Sequence, residues 1–257
     1  MYENLKLEIN KGLGWITIDR PEVRNALNAQ TLSEIEKAVD DFESHDEVKV
    51  IVITGAGEKS FAAGADIQQL RDRPMLEALV PGMQATYKKI ENCSKATIAA
   101  INGFALGGGC ELALACDIRI AVNHAKLGLP ELNLGIIPGA GGTQRLSRIV
   151  GKGKAMEMIL TGKMIDGQEA ERIGLVSQSV DGSELEAVVE QVANSIMSKG
   201  PVAIKLAKMV INRGYDVDLD TALMMEKMAQ ALVFGTEDKQ EGTQAFLDKR
   251  QANFQNK

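Results

Sequence analysis

An α/β fold with parallel strand pairings is what this 257-residue sequence predicts. Three runs carry that expectation: Val48–Gly55, Ala96–Ile101 and Asp117–Val122 read as buried strands bounded by turn residues. Stretches with helical spacing lie between them, and strand–helix–strand alternation is the signature of parallel pairing. Beyond Pro201 the pattern becomes almost wholly helical, so a helical appendage is expected on a core of ordinary domain size.

Taken in order, Leu5, Leu7 and Ile9 alternate with Lys6 and Glu8, and alternation resumes at Trp15 to Ile18 after Lys11-Gly12-Leu13-Gly14. This is a hairpin with a glycine turn. Thr31-Leu32-Ser33-Glu34 has the form of a capping box, and Leu32, Ile35, Ala38, Val39 and Phe42 follow at helical spacing. Gly55 to Ala65 reads as a small-residue loop. Leu79, Met83, Tyr87 and Ile90 mark a second helix, and Cys110 to Ala115 a short one after Gly107-Gly108-Gly109. The pattern turns more helical from Ala155, with a short strand over Leu175 to Val180. Three C-terminal helices follow, over Val202 to Arg213, Asp220 to Phe234 and Glu237 to Ala252.

Composition narrows the function. With 29 Lys plus Arg against 35 Asp plus Glu, the formal charge is −6, which argues against non-specific nucleic-acid binding and against an anionic membrane surface. The longest apolar runs fall short of a membrane span. Met1 to Asn10 lacks the apolar run of a secretory signal. Three cysteines without C-x-x-C spacing suit a reducing, cytoplasmic setting. Two histidines exclude a three-histidine metal site and give a Ser-His-Asp triad little support; His45 reads as a solvated loop residue and His124 as a turn residue. No metal is expected. Gly55-Ala56-Gly57-Glu58-Lys59-Ser60 lacks P-loop spacing, and Gly139 to Gly142 follows no clear strand. Met224, Met225 and Met228 read as core or interface filler.

Two segments carry chemistry. In Gly107-Gly108-Gly109-Cys110-Glu111 the glycines bare the backbone just before a helix, where N–H groups suit an oxyanion, and Glu111 stands beside them in the first turn. In Leu129 to Gly142, Glu131 follows Pro130 in an apolar stretch, where desolvation should raise its pKa. Each carboxylate has a plainer reading, as a dipole partner or a buried ion pair. Together they fit a divided acid and base role.

The sequence resembles the enoyl-CoA hydratase (crotonase) family over essentially its whole length. The resemblance rests on Asp19-Arg20-Pro21, Arg24-Asn25-Ala26-Leu27-Asn28, Phe61-Ala62-Ala63-Gly64-Ala65-Asp66-Ile67, Asn102-Gly103, Gly107 to Leu112, Cys116-Asp117, Pro130-Glu131 and Pro138 to Leu146. It implies a crotonase-like spiral of ββα repeats over residues 1–200 and a helical trimerisation region over 201–257, assembled as a trimer or dimer of trimers. The implied ligand is an acyl-CoA thioester, with no cofactor beyond coenzyme A. Ala65 and Gly108 would form the oxyanion hole, Glu111 and Glu131 would be catalytic, and Gly139 would orient the water. Ala63, Gly64, Ala65, Asp66 and Ile67 would line the adenine pocket with Ala26 nearby, and Arg24 would lie near the phosphates. Phe246 and Lys249 would reach the coenzyme A site of a neighbouring subunit. The implied reaction is reversible hydration of a 2-enoyl-CoA, with isomerisation on the same frame or an RNA-binding relative as alternatives. Gln68 to Met83 would set acyl length.

Overall fold

The structure, a computed structural model, describes residues 2–256, with Gln68 described by its backbone alone. The expectation placed on the side chain of Gln68 therefore lies outside the described residues. The chain divides into two units, one of Met1–Cys93 with Thr97–Val189, the other of Ser94–Ala96 with Glu190–Lys257.

The first unit opens with the hairpin of β1 (Leu5–Asn10) and β2 (Leu13–Ile18), with Leu5 opposite Ile18. Lys11 and Gly12 form its turn with φ of 49° and 84°, the two-residue geometry whose twist suits flanking strands. Helix α1 (Ala29–Ser44) follows, but the capping box needs correction. Asn28 is the N-cap and accepts from both the amide and the hydroxyl of Thr31. Thr31 is therefore three residues inside the helix, and Glu34 instead accepts from the Glu3 and Asn4 amides.

From there a ββα turn repeats. β3 (Val50–Gly55) and β4 (Ser60–Ala62) precede α2 (Ile67–Asp72) and α3 (Gly82–Asn92). β5 (Ala96–Ile101) and β6 (Phe104–Leu106) precede α4 (Gly108–Ala115). β7 (Ile118–Val122) and β8 (Lys126–Gly128) precede a 3-10 turn, Glu131–Leu134, then α5 (Gly142–Val150) and α6 (Lys152–Thr161). β9 (Ile165–Asp166), α7 (Gly167–Arg172), β10 (Gln178–Val180) and α8 (Leu185–Met197) complete the order.

Each turn gives its first strand to one sheet and its second to another. The larger sheet runs β1-β2-β3-β5-β7-β10 and the smaller β4-β6-β8-β9. β2–β3, β5–β7 and β7–β10 pair parallel, as do β4–β6 and β6–β8. Val50 to Ile53 and Ile98 to Ile101 are fully buried, which explains their unbroken apolar sequences. The expected loop Gly55–Ala65 contains β4, and Leu79 lies outside α3 in an exposed 3-10 turn, Met75–Leu79. All three cysteines are buried thiols.

The second unit holds α9 (Pro201–Gly214), α10 (Leu219–Phe234) and α11 (Glu237–Leu247). α11 ends before Ala252. There Arg250 pairs with Glu241, and the Gln255 and Asn256 amides donate to Asp238. Met224 and Met228 are exposed along α10. Among the described residues no helix is long and apolar enough to cross a membrane.

Candidate active site

Two backbone amides come together where β4 and α4 meet. The segment after β4 bridges Leu27: the Leu27 N–H donates to Gly64 O at 2.8 Å and the Asp66 N–H to Leu27 O at 3.1 Å. A parallel bridge of this kind uses the groups flanking Ala65 and leaves the Ala65 N–H out of the ladder. Gly108 is the first residue of α4, so its N–H is one of those that a helix start leaves without an intrahelical acceptor. The two amides are neighbours. A Cβ built on Gly108 would stand 3.5 Å from Ala65 N, and one built on Gly64 would stand 3.8 Å from Gly108 N. Such an approach needs bare backbone. A Cβ on Gly109 would fall 1.9 Å from Ala62 O, and Gly107 turns the chain into the helix at φ 52°, ψ −125°.

The carboxylates flank this point. Glu111, in the first turn of α4, is only 3% exposed, and its Oε1 accepts from the Ala140 and Gly142 amides at 2.8 Å each. Burial raises its pKa, while those two donors and the Arg145 cation pull the other way. Glu131 opens the 3-10 turn after Pro130, with Oε1 at 3.2 Å from where a Gly107 Cβ would stand. Burial pushes its carboxyl up to about 7; its own backbone N–H eases the rise, and the charge of Glu111 adds to it. Glu131 Oε2 is buried without a hydrogen-bond partner among the described residues. One carboxylate is thus held by fixed donors, and the other keeps an oxygen for something else.

Tyr87 and Met83, both on α3, complete the surroundings. The Tyr87 hydroxyl donates to Gly108 O at 2.6 Å, and Met83 Sδ lies 3.0 Å from the Gly108 Cβ position. Burial raises Tyr87 well above its ordinary value and pushes the Cys110 thiol to about 12, so both are neutral at physiological pH. The sequence gives Tyr87 only a helix-face role, and Met83 that role together with a place at the end of the Gln68 to Met83 stretch expected to set acyl length. It gives no role to Arg145, or to the Ala140 and Gly142 amides. The one available signal was their presence in the Pro138 to Leu146 motif.

The other residues singled out from the sequence are distributed as follows. The Ala63 N–H donates to Arg24 O at 3.1 Å, and Ala26 O accepts from Arg20 Nη1. Arg24, Ala26, Ala63, Gly64, Ala65 and Asp66 therefore form one tied group, with Arg24 exposed and Ile67 exposed at the start of α2. Gly139 is exposed, one residue before the amides that hold Glu111. Phe246 and Lys249 belong to the second unit, where both are exposed. The first unit therefore sets two neighbouring backbone amides beside two carboxyls in unlike surroundings, Glu111 held by two amide donors and Glu131 with a buried oxygen that has no partner among the described residues.

The family model described as enoyl-CoA hydratase/isomerase matches residues 8–257. Among similar proteins is a short-chain-enoyl-CoA hydratase of Clostridium acetobutylicum, 47% identical over 96% of this chain and 95% of its own. Another is a crotonyl-CoA hydratase of Syntrophomonas wolfei, 48% identical over 98% of each chain. A crystal structure of an enoyl-CoA hydratase from Bacillus anthracis superposes with a TM-score of 0.95 at 41% identity, covering 99% of this chain and 100% of that one.

Proposed function

The chain belongs to the enoyl-CoA hydratase/isomerase family, and from that premise we propose that it is a hydro-lyase. It adds water reversibly across the double bond of a trans-2-enoyl-CoA to give a 3-hydroxyacyl-CoA. The observation that carries this reading is the unequal pair of carboxyls beside two convergent amides.

In the forward direction Glu111 accepts a proton from a water whose oxygen bonds to C3. The C2=C3 electron pair moves toward C1, and negative charge develops on the thioester oxygen. The Ala65 and Gly108 N–H groups donate to that oxygen; a donor of this kind is worth ~10²–10³ in rate. Collapse of the enolate takes a proton at C2 from Glu131, which burial keeps protonated up to about pH 7. Dehydration runs the same steps with the roles exchanged. Gly139 helps orient the water through its backbone.

Arg24, Ala26, Ala63, Gly64, Asp66 and Ile67 bind the coenzyme A portion, and no further cofactor or metal takes part. Residues 1–200 act as the catalytic core and 201–257 as a trimerisation region. The exposed apolar side chains of that region, Met224, Met228 and Leu232 among them, support association into a trimer or dimer of trimers. Phe246 and Lys249 then serve a neighbouring copy. The setting is cytoplasmic.

The test follows loss of the conjugated thioester absorbance with a panel of 2-enoyl-CoA esters from four carbons upward. Glu111→Gln and Glu131→Gln should each lower turnover by ~10²–10⁴ while ester binding survives. Unchanged hydration in both variants would refute the reading. Conversion of a 3-enoyl-CoA far outrunning hydration would make the protein an isomerase.

A further inference from the structure

We infer that Arg145, clamped by Glu91, is a positioning residue for the Glu111 carboxylate, acting through the Ala140–Gly142 loop. The inference rests on the hydratase reading for its kinetic consequences, and it stands on contacts that neither the reaction nor the coenzyme A ligand requires.

Arg145 lies in the first turn of α5, three residues after Gly142, and its guanidinium curls back over its own helix start. Nη1 donates to Ala140 O at 2.9 Å. Ala140 is also the residue whose N–H holds Glu111 Oε1, so one residue is gripped from both sides. A Cβ on Gly141 would fall 2.2 Å from Nη1, and a Cβ on Gly142 would fall 2.9 Å from Glu111 Oε1. The loop is thus packed between guanidinium and carboxylate. Nε and Nη2 donate to the two oxygens of Glu91 on α3, at 3.0 Å each. That fork fixes the guanidinium plane and leaves Nη1 for the loop. The Arg145 side chain is 15% exposed and that of Glu91 36%, so the guanidinium is largely enclosed while the carboxylate meets solvent, and it is the two-bond fork rather than burial of the pair that fixes the geometry.

This arrangement does two things. It sets the spacing of two amides that must meet a single carboxylate oxygen, and it supplies a cation that favours the ionised form of a buried base. The titratable groups that face Glu111 or act with it come from every neighbouring element: Arg145 on α5, Glu91 and Tyr87 on α3, Cys110 beside it on α4, and Glu131 on the 3-10 turn. Tyr87 and Cys110 are neutral and Glu131 is acidic, so Arg145 opposes the effect of burial on Glu111.

The experiment compares Arg145→Met, Arg145→Lys and Glu91→Gln with the full-length wild type. In Arg145→Met, kcat for a 2-enoyl-CoA ester should fall about 10–100-fold with KM changed less than about threefold. The acid limb of the kcat–pH profile, which reports ionisation of Glu111, should move upward by about one pH unit. Arg145→Lys keeps the charge without the fork, so it should restore the limb but not kcat. Glu91→Gln loosens the guanidinium fork and should lower kcat about 3–10-fold with KM changed less than about threefold; should the Met variant not fold, a Glu91→Gln enzyme with kcat and acid limb both unmoved overturns the role.

A carboxyl-carbon NMR titration of Glu111 reads the same shift without turnover. Wild type that fails to hydrate the ester would sink the hydratase reading, while the titration would still decide this one. Wild type that hydrates, with Arg145→Met showing an unmoved limb and kcat within threefold, would overturn the positioning role alone. So would an unchanged Glu111 titration.

Discussion

A methyl group at position 109 should remove most turnover while leaving the chain folded. A Cβ on Gly109 stands 1.9 Å from Ala62 O and 2.7 Å from Ala62 C. Both are backbone atoms, so no rotamer change makes room, and α4 and β4 must part by about 1.5 Å before the contact becomes ordinary. β4 leads within three residues to Ala65, and α4 begins at Gly108. The separation therefore falls on the two amides proposed to share one oxygen. Misplacement of ~1 Å can cost ~100-fold, and loss of a donor ~10²–10³, or about 3–4 kcal/mol of barrier. The cost to folding is smaller. Overpacking takes ~1–3 kcal/mol from a typical ~5–15 kcal/mol, and alanine returns part of that through helix propensity. Turnover of a 2-enoyl-CoA ester by Gly109→Ala is measured beside Gly153→Ala, whose added Cβ meets nothing within 4 Å. The first should lose about 100-fold or more with its far-ultraviolet circular dichroism unchanged, and the second should match wild type. A folded Gly109→Ala working within threefold of wild type would refute the close-approach reasoning.

Glu131 makes stability depend on pH. Its native pKa of about 7 lies above the ordinary 4.5, so between those values the folded chain binds more protons than the unfolded one. Its contribution to stability is greatest below pH 4.5 and declines as pH rises through 7. Glu131→Gln cannot ionise and should melt above wild type at pH 8 yet close to it at pH 5; the opposite ordering would mean the carboxyl is not desolvated. Asn28→Ala removes the acceptor for both Thr31 donors. It should cost ~1 kcal/mol, a Tm drop of ~2–4 °C, with turnover unchanged. Met83→Ala clears the sulfur beside Gly108 and should shift the ratio of rates toward longer enoyl esters by about tenfold. Calorimetry and the chain-length panel check these.

What was legible in the sequence depended on the length of the signal. β3 and β5 are six-residue strands buried almost throughout, and their apolar runs announced them. β4, β6 and β8 have three residues each, too few for a period of two to stand out among glycines and alanines. With the two-residue β9 they form the smaller sheet, and so the second strand of each ββα turn escaped notice, β4 inside the expected loop at 55–65. At α1 the pattern of Thr31 and Glu34 was real, but Asn28 is the stronger cap, and the Glu3 and Asn4 amides took the carboxylate. In the site, Glu111 and Glu131 were visible because glycines and apolar neighbours set them apart. The Arg145–Glu91 pair was not, because its partners are 54 positions apart and only packing of α3 against the start of α5 makes them adjacent.

The thiols offer a practical opening. Cys93, Cys110 and Cys116 are all enclosed, and Cys110 is further blunted by its high pKa, so maleimide reagents should leave the native protein nearly untouched. A cysteine placed at exposed Lys152 would then take a fluorophore against a dark background, with no need to strip the native residues first.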